Sequence, residues 1–320
     1  MRNDTGMRRI AAIDIGTVTT RLLIADTDGT DVREIARRTL VTHLGEGLHA
    51  TGALSAAGIE RVASAVRGFA AEIARVGADE VVAVATSAAR DASNGAAFID
   101  AVTAAGARPR IIPGPVEARL SFSGAAWGRG GDDILVADLG GGSTELILGS
   151  AGAGPEGGAG LCRIALARSL DVGSRRVLDM FLHSDPPRPS ELDTAAVWVR
   201  EQMSPYFAEM SSHARELITL AGTGTTLSAV KQGLVVYDPA RVHGSHLSAD
   251  DVRGLLGRLA AMDVASRRAV VGMDPARADV IVAGALILTA IIELAGVSGT
   301  TVSEHDILYG IVLAGADGLD

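Results

Sequence analysis

Two stretches of this chain carry the same order of residue types: Asp14, Gly16, Thr19, Thr20 and Leu22 in one, Asp138, Gly140, Ser143, Thr144 and Leu146 in the other. Carboxylate, glycine, hydroxyl pair and apolar strand recur at one spacing, which suggests duplicated domains. A third stretch, Gly222-Thr223-Gly224-Thr225-Thr226, lacks the acid but follows an apolar strand in the same way. A phosphate held at a turn needs several backbone N–H groups converging on it. That requires glycines, which accept unusual dihedrals, and small hydroxyl residues, which add donors. Gly16, Thr17 and Thr19, then Gly141, Gly142 and Ser143, then Gly222, Thr223 and Gly224 meet this demand. One such turn alone is an ordinary glycine turn more often than a phosphate site. Three together, two of them led by Asp, reverse that judgement.

Carboxylates beside phosphates repel them unless a hard cation intervenes, and Mg²⁺ binds through one or two carboxylates, waters and phosphate oxygens. Asp14, Asp138 and Glu145 are therefore candidates for holding a metal or its waters, Mg²⁺ first and Mn²⁺ second, the alternative for each being a turn or cap carboxylate. Glu117 follows a strand and the tight turn Pro113-Gly114-Pro115 at a helix start. There it can serve as a general base for water, with neighbouring phosphate charge raising its pKa, although helix N-termini also favour acids that have no catalytic duty. Arg90 and Arg277 can clamp phosphate bidentately, or else be solvated or pair with a nearby Asp. His243 and His246 lack a third ligand nearby, and no Ser/His/Asp or Cys/His set argues for a covalent nucleophile.

The elements that must position these side chains read as α/β. Residues 10–15 and 22–25 are buried strands joined by a polar turn, with 32–41 as a third strand. After Ser55 as N-cap, Ile59, Val62, Val66, Phe69, Ile73 and Val76 recur at spacings of three and four until Gly77 stops them, which predicts an amphipathic helix. Residues 81–85 are another buried strand, 93–105 a helix, 109–112 a short strand, and Glu117 opens the next helix. A second strand-turn-strand spans 134–148, and the glycine-rich residues 150–160 read as a hairpin loop. Residues 217–221 form a strand ending in the third glycine turn, after which Leu227, Val230 and Leu234 start a helix. The apolar run 280–292 falls short of the roughly 20 residues of a membrane span and reads as a core helix. The domain boundary lies just before Ile134, giving domains 1–130 and 131–320, with the last helix, from about 306, crossing back to the first domain.

Bulk composition agrees. A chain of 320 residues outgrows a single core, and 48% apolar content with 3% aromatics suits sheets buried between helices. The lone Cys162 excludes an intrachain disulfide and a cysteine-based metal cluster, which fits a cytoplasmic location. No apolar segment precedes the first strand, so neither a signal peptide nor membrane attachment is expected. A net charge of -9 argues against a general nucleic-acid surface.

Eight segments, AAIDIGTVTTRLLI (11–24), THLGEGLHATGALS (42–55), VATSAARDASN (84–94), IIPGPVEARLSFSG (111–124), DLGGGSTELILG (138–149), AGTGTTLSAV (221–230), DPARADVIVAGALIL (274–288) and VSEHDILYGI (302–311), occur in one order. In that order they resemble the exopolyphosphatase and guanosine pentaphosphate phosphohydrolase (Ppx/GppA) family, within the actin, hexokinase and Hsp70 superfamily. The likeness covers nearly the whole chain. It implies a duplicated actin-like, ribonuclease H-like ATPase fold of α/β class, in two domains with an interdomain cleft. It also implies that Glu117, from the family's Glu-Ala-Arg motif, is the catalytic base that activates water. Asp138 and Glu145 match acids implicated in metal and water placement, Asp14 matches the first-loop acid, and Gly141, Gly142, Ser143 and Thr223 match phosphate-contacting loops.

The chain departs from the family at Val18, where a polar residue is usual, and at Val116, where an acid is usual. It also ends where longer relatives continue into a helical region. The implied activity is Mg²⁺-dependent release of the terminal phosphate from inorganic polyphosphate or guanosine pentaphosphate, the latter tying the chain to the stringent response. A homodimer is implied by the same likeness. Two rivals stand beside this reading: a non-catalytic sensor of polyphosphate or guanosine tetraphosphate, motivated by Val18 and Val116, and a sugar or small-molecule kinase of the same superfamily.

Overall fold

A computed structural model describes residues 7–152 and 162–319, the side chain of Asp317 excepted. The glycine-rich stretch expected as a hairpin loop therefore lies outside the described residues from 153 onward. In one sheet β1 (Arg8–Ile15), β2 (Thr19–Thr27), β3 (Val32–Val41), β4 (Glu80–Ala85) and β5 (Pro109–Ile111) lie in the order β3-β2-β1-β4-β5. In the other, β6 (Gly131–Leu139), β7 (Thr144–Ala151), β8 (Cys162–Leu170), β9 (Glu216–Leu220), β10 (His246–Ser248) and β11 (Gly299–Val302) lie in the order β10-β11-β9-β6-β7-β8. With β10 set aside, the two orders are the same. Three sequential strands run side by side, and the next two add on the far side of the first. Strand β4 pairs parallel to β1 and β5 to β4, as β9 does to β6 and β11 to β9. This is a duplicated α/β arrangement, as the sequence repeat leads one to expect.

The helices of the first half are α1 (Leu48–Thr51), α2 (Ala56–Val76), α3 (Ser87–Asp91), α4 (Gly95–Ala104) and α5 (Gly114–Ala126). Those of the second are α6 (Ser174–Phe181), α7 (Pro189–Glu209), α8 (Ala221–Gln232), α9 (Pro239–Val242), α10 (Ala249–Ala260), α11 (Val264–Arg268) and α12 (Ile281–Ala295), before α13 (Ile307–Ala314) ends the chain. Two compact units result. The break falls after Gly130, and the chain rejoins the first unit at Asp306.

Strand β1 explains why the first unit needs helices on both faces of its sheet. Ala11, Ile13 and Ile15 pack with Val62, Val66 and Phe69 of α2 and Phe98 and Val102 of α4. The alternate residues Ile10 and Ala12 pack with Leu120 of α5 and Ile307, Leu308, Ile311 and Val312 of α13. A strand buried on both faces reads as an apolar run, as β1 does from Ile10 to Ile13. The α2 ends are those the sequence predicts: the Ser55 hydroxyl accepts from Gly58 N at 3.0 Å, and Gly77 stops the helix with φ 79°. In the second unit the expected core helix is α12, buried among β6, α7, α8 and α10. Among the described residues no helix is long and apolar enough to cross a membrane.

Three local expectations need correction. Helix α5 begins at Gly114 and not at Glu117, which still lies in its first turn; Pro115 fits there because an N-terminal N–H has no helical partner to lose. The third glycine turn is not a loop, since α8 starts at Ala221 directly after β9 and contains Gly222 to Thr226. The junction holds Ala221 at φ 62°, a left-handed conformation that a side chain resists. Helix α3 was not expected at all, and it carries Arg90.

Truncating Ile287, fully buried in α12, is expected to cost about 2–5 kcal/mol. Urea unfolding of Ile287→Ala should show a lower midpoint at unchanged slope, and an unchanged midpoint would remove α12 from the core.

Candidate active site

The sequence repeat is a repeat of geometry. In the β1–β2 turn Gly16 N donates to Thr19 O at 2.9 Å, and in the β6–β7 turn Gly140 N donates to Ser143 O at 3.0 Å. A Cβ on Gly16 would stand 3.3 Å from Thr19 O, and one on Gly140 3.0 Å from Ser143 O. Each turn thus closes on its own carbonyl, and glycine leaves room for it. Asp14 and Asp138 lie buried at the ends of the strands that lead in.

Second segments brace both turns. Thr17 O accepts from Gly45 N at 2.9 Å, and Val18 O accepts from Thr42 N and His43 N at 2.8 and 2.9 Å. A Cβ on Gly45 would overlap the Thr17 side chain. In the second unit Gly140 O accepts from Ser174 N at 3.0 Å, and Gly141 O from Arg175 N at 2.8 Å and Arg176 N at 3.1 Å. The Arg176 guanidinium also reaches Gly142 O at 2.9 Å. Gly173 lies against the Gly141–Gly142 backbone with no room for a Cβ. Sequence reasoning missed this bracing segment; its signal was Gly173-Ser174 closely following a strand, β8.

The acids are held by basic or hydroxyl partners. Asp14 and Arg21 are cross-strand neighbours in the β1–β2 register, and Arg21 Nη2 and Nε donate to Asp14 Oδ2 at 2.6 and 3.0 Å. Arg21 Nη1 donates to Asp306. Burial raises the Asp14 pKa, Arg21 opposes that shift, and the Asp306 charge adds to it. Glu145, 2% exposed, accepts from the Ser169 hydroxyl at 2.6 Å. Glu117 is 6% exposed, and Arg90 Nη1 donates to its Oε2 at 3.0 Å and to Ile112 O at 3.1 Å. Arg90, read from sequence as a phosphate clamp, a solvated cation or an Asp partner, is thus placed beside Glu117.

The start of α8 has its own logic. The Arg277 guanidinium occupies the space where a Gly222 Cβ would be, Gly224 is pressed on the Thr219 side chain, and Gly284 makes room for Thr223. Arg277 Nε stands 3.5 Å from Asp274, whereas Asp279 pairs with Arg175 at 2.5 Å. A cation at a helix N-terminus opposes the helix dipole, so this arrangement favours an anion that both can share. His243 stacks on His305 at 4.1 Å between ring centroids and accepts from Glu304 N at 3.2 Å through Nδ1. No three His, Cys, Asp or Glu side chains converge on a metal position among the described residues.

The first unit therefore brings Glu117 to Arg90, and Asp14 to Arg21 and Asp306. The second gathers Asp138, Gly141, Gly142, Ser143 and Glu145 about one turn, and Gly222, Thr223 and Gly224 beside Arg277. Replacing Arg21 by Met strands two buried carboxylates, Asp14 and Asp306, and should cost at least about 3–5 kcal/mol near neutral pH. The sign follows from Asp14: its folded pKa is raised, so folding favours the protonated form and the penalty disappears once the unfolded chain is protonated too, below pH of about 4. Denaturation of Arg21→Met should accordingly show a larger loss at pH 7 than at pH 4. A loss independent of pH would contradict the pairing.

Comparison with known proteins gives the family. The chain is 39% identical to Exopolyphosphatase 2 of Mycobacterium tuberculosis, over 96% of this chain and 98% of that protein. The crystal structure of an exopolyphosphatase-like protein superposes with a TM-score of 0.88 at 35% identity, covering 96% of this chain and 97% of the other. An exopolyphosphatase from Cytophaga hutchinsonii superposes with a TM-score of 0.86 at 26% identity, covering 98% and 99%. The model of the Ppx/GppA phosphatase family matches residues 23–314, and the chain belongs to that family.

Proposed function

We propose that this chain is a Mg²⁺-dependent phosphoanhydride hydrolase that removes the terminal phosphate of inorganic polyphosphate, with guanosine pentaphosphate as the second candidate substrate. The observation that carries the reading is Glu117, a buried carboxylate fixed in the first turn of α5 by Arg90. An acid that needed only solvent would not be buried there with a guanidinium beside it. Polyphosphate ranks first because relatives that share nearly the full length of the chain are named exopolyphosphatases.

In this reading the β6–β7 turn and the start of α8, with Arg277, hold successive phosphates through backbone N–H groups and positive charge. Glu117 orients a water toward the terminal phosphorus and takes its proton, while Arg90 fixes the carboxylate and balances its charge. Asp138 and Glu145 flank the turn as acceptor-only oxygens, which suits Mg²⁺, a cation satisfied by one or two carboxylates and the oxygens of its substrate. When bound, the cation neutralises the phosphate charge that builds up in the transition state. Asp14 remains a separate metal candidate in the first unit, since both Arg21 bonds fall on Oδ2. Positioning and electrostatics supply most of the rate.

Val18 and Val116, which motivated the sensor reading, both have a packing account. Val18 is buried and its carbonyl receives two N–H groups; Val116 packs against the layer formed by Leu120 and Ile307. Neither replacement requires loss of the reaction.

Phosphate release with Mg²⁺ should be measured on short polyphosphate, long polyphosphate and guanosine pentaphosphate in parallel. Glu117→Gln is expected to lower turnover by about 10²–10⁴, and Asp138→Asn and Glu145→Gln to raise the Mg²⁺ concentration needed for half-maximal rate. A Glu117→Gln variant as active as the wild type, or an unmodified protein that binds polyphosphate without cleaving it, would overturn the reading.

A further inference from the structure

We propose that Asp306 is a positioning residue for this reaction, tying the first-turn acid Asp14 to α5, the helix that carries Glu117. The inference rests on the hydrolase reading above. Asp306 is buried at the point where the chain rejoins the first unit, and each of its polar parts has a separate task. One carboxylate oxygen receives Arg21, whose other nitrogens hold Asp14. The second accepts from Leu308 N at 2.9 Å and caps α13. Its carbonyl oxygen lies where a Cβ of Gly124 in α5 would stand, and the Leu120 carbonyl of α5 lies where a Cβ of Gly310 in α13 would stand.

The two helices thus meet backbone to backbone at two levels. Position 306 faces 124 and position 310 faces 120, each pair one helical turn from the next. Glu117 follows one turn beyond Leu120 on the same helix. A displacement of α13 is therefore transmitted to α5 without a flexible side chain between them.

The cap alone does not call for an acid, since Asn caps a helix as well as Asp. Burial argues against a needless one: a single guanidinium serves two buried carboxylates, a costly arrangement unless it fixes geometry. The duplication points the same way. In the first unit the passage from β5 into α5 delivers Glu117; the equivalent passage from β11 into α13 delivers Asp306, which is turned inward to Arg21.

Asp306→Asn keeps the cap and the shape while removing the ion pair, and Gly310→Ala forces the helices apart with the ion pair intact. Both are expected to lower kcat on polyphosphate about ten- to a hundredfold, with KM changed by less than about twofold and a cooperative thermal transition retained. Glu80→Gln is the control. It neutralises the acceptor of Ala316 N, at 2.7 Å, and removes the ion pair with Arg8, loosening the same C-terminal segment away from Asp306, so its kcat should equal that of the wild type. Stability losses in Asp306→Asn and Gly310→Ala with kcat unchanged would make Asp306 a structural residue only and overturn the proposal. A kcat loss in Glu80→Gln equal to theirs would overturn it as well. Full activity of Glu117→Gln in the same assay would instead remove the hydrolase reading, and this inference with it.

Discussion

A turn that closes on its own carbonyl leaves no room for a side chain, and each of the two units is built on that constraint once. Gly16 and Gly140 each donate to a hydroxyl residue three positions on, so the chain leaves one strand and re-enters the next within a few residues. That reversal fixes where the acid at the end of the incoming strand stands and which way the following hydroxyls face. It also demands outside support, because a short turn offers few hydrogen bonds of its own. Gly45 supplies the support in the first unit and residues 172–176 in the second, both through glycines that let a second backbone come close.

Charge is handled with similar economy. Asp14 shares Arg21 with Asp306, Glu117 has Arg90, and Glu145 has the Ser169 hydroxyl. Buried carboxylates left without such partners would be protonated or would destabilise the fold. Arg277 is a cation placed at the positive end of α8, with Asp274 3.5 Å from its Nε.

What could be read from the sequence was what local chemistry determines. The two Asp-Gly turns were legible because their glycines and hydroxyls are demanded within a few residues. Helix α2 was legible because its apolar period runs unbroken from Ile59 to Val76 between an N-cap serine and a stopping glycine. Helix α3 was not, since five residues carry no period. The start of α8 was misread for a physical reason: Ala221 is left-handed, and Gly222 and Gly224 are poor helix formers, there because Arg277 and Thr219 take the space. The Arg21–Asp14 pair needs the strand register, and Arg90–Glu117 joins residues 27 positions apart, which no local pattern reveals. The family resemblance implies a role for Glu117; the structure shows Arg90 as its partner.

The central claim is that a water directed by Glu117 attacks the terminal phosphorus of a polyphosphate chain. Its most direct test is turnover of polyphosphate in ¹⁸O-labelled water, followed by mass analysis of both products. The account predicts a single labelled oxygen in each released orthophosphate and none in the shortened chain. Label appearing in the shortened chain, or release of internal fragments in place of orthophosphate, would contradict it.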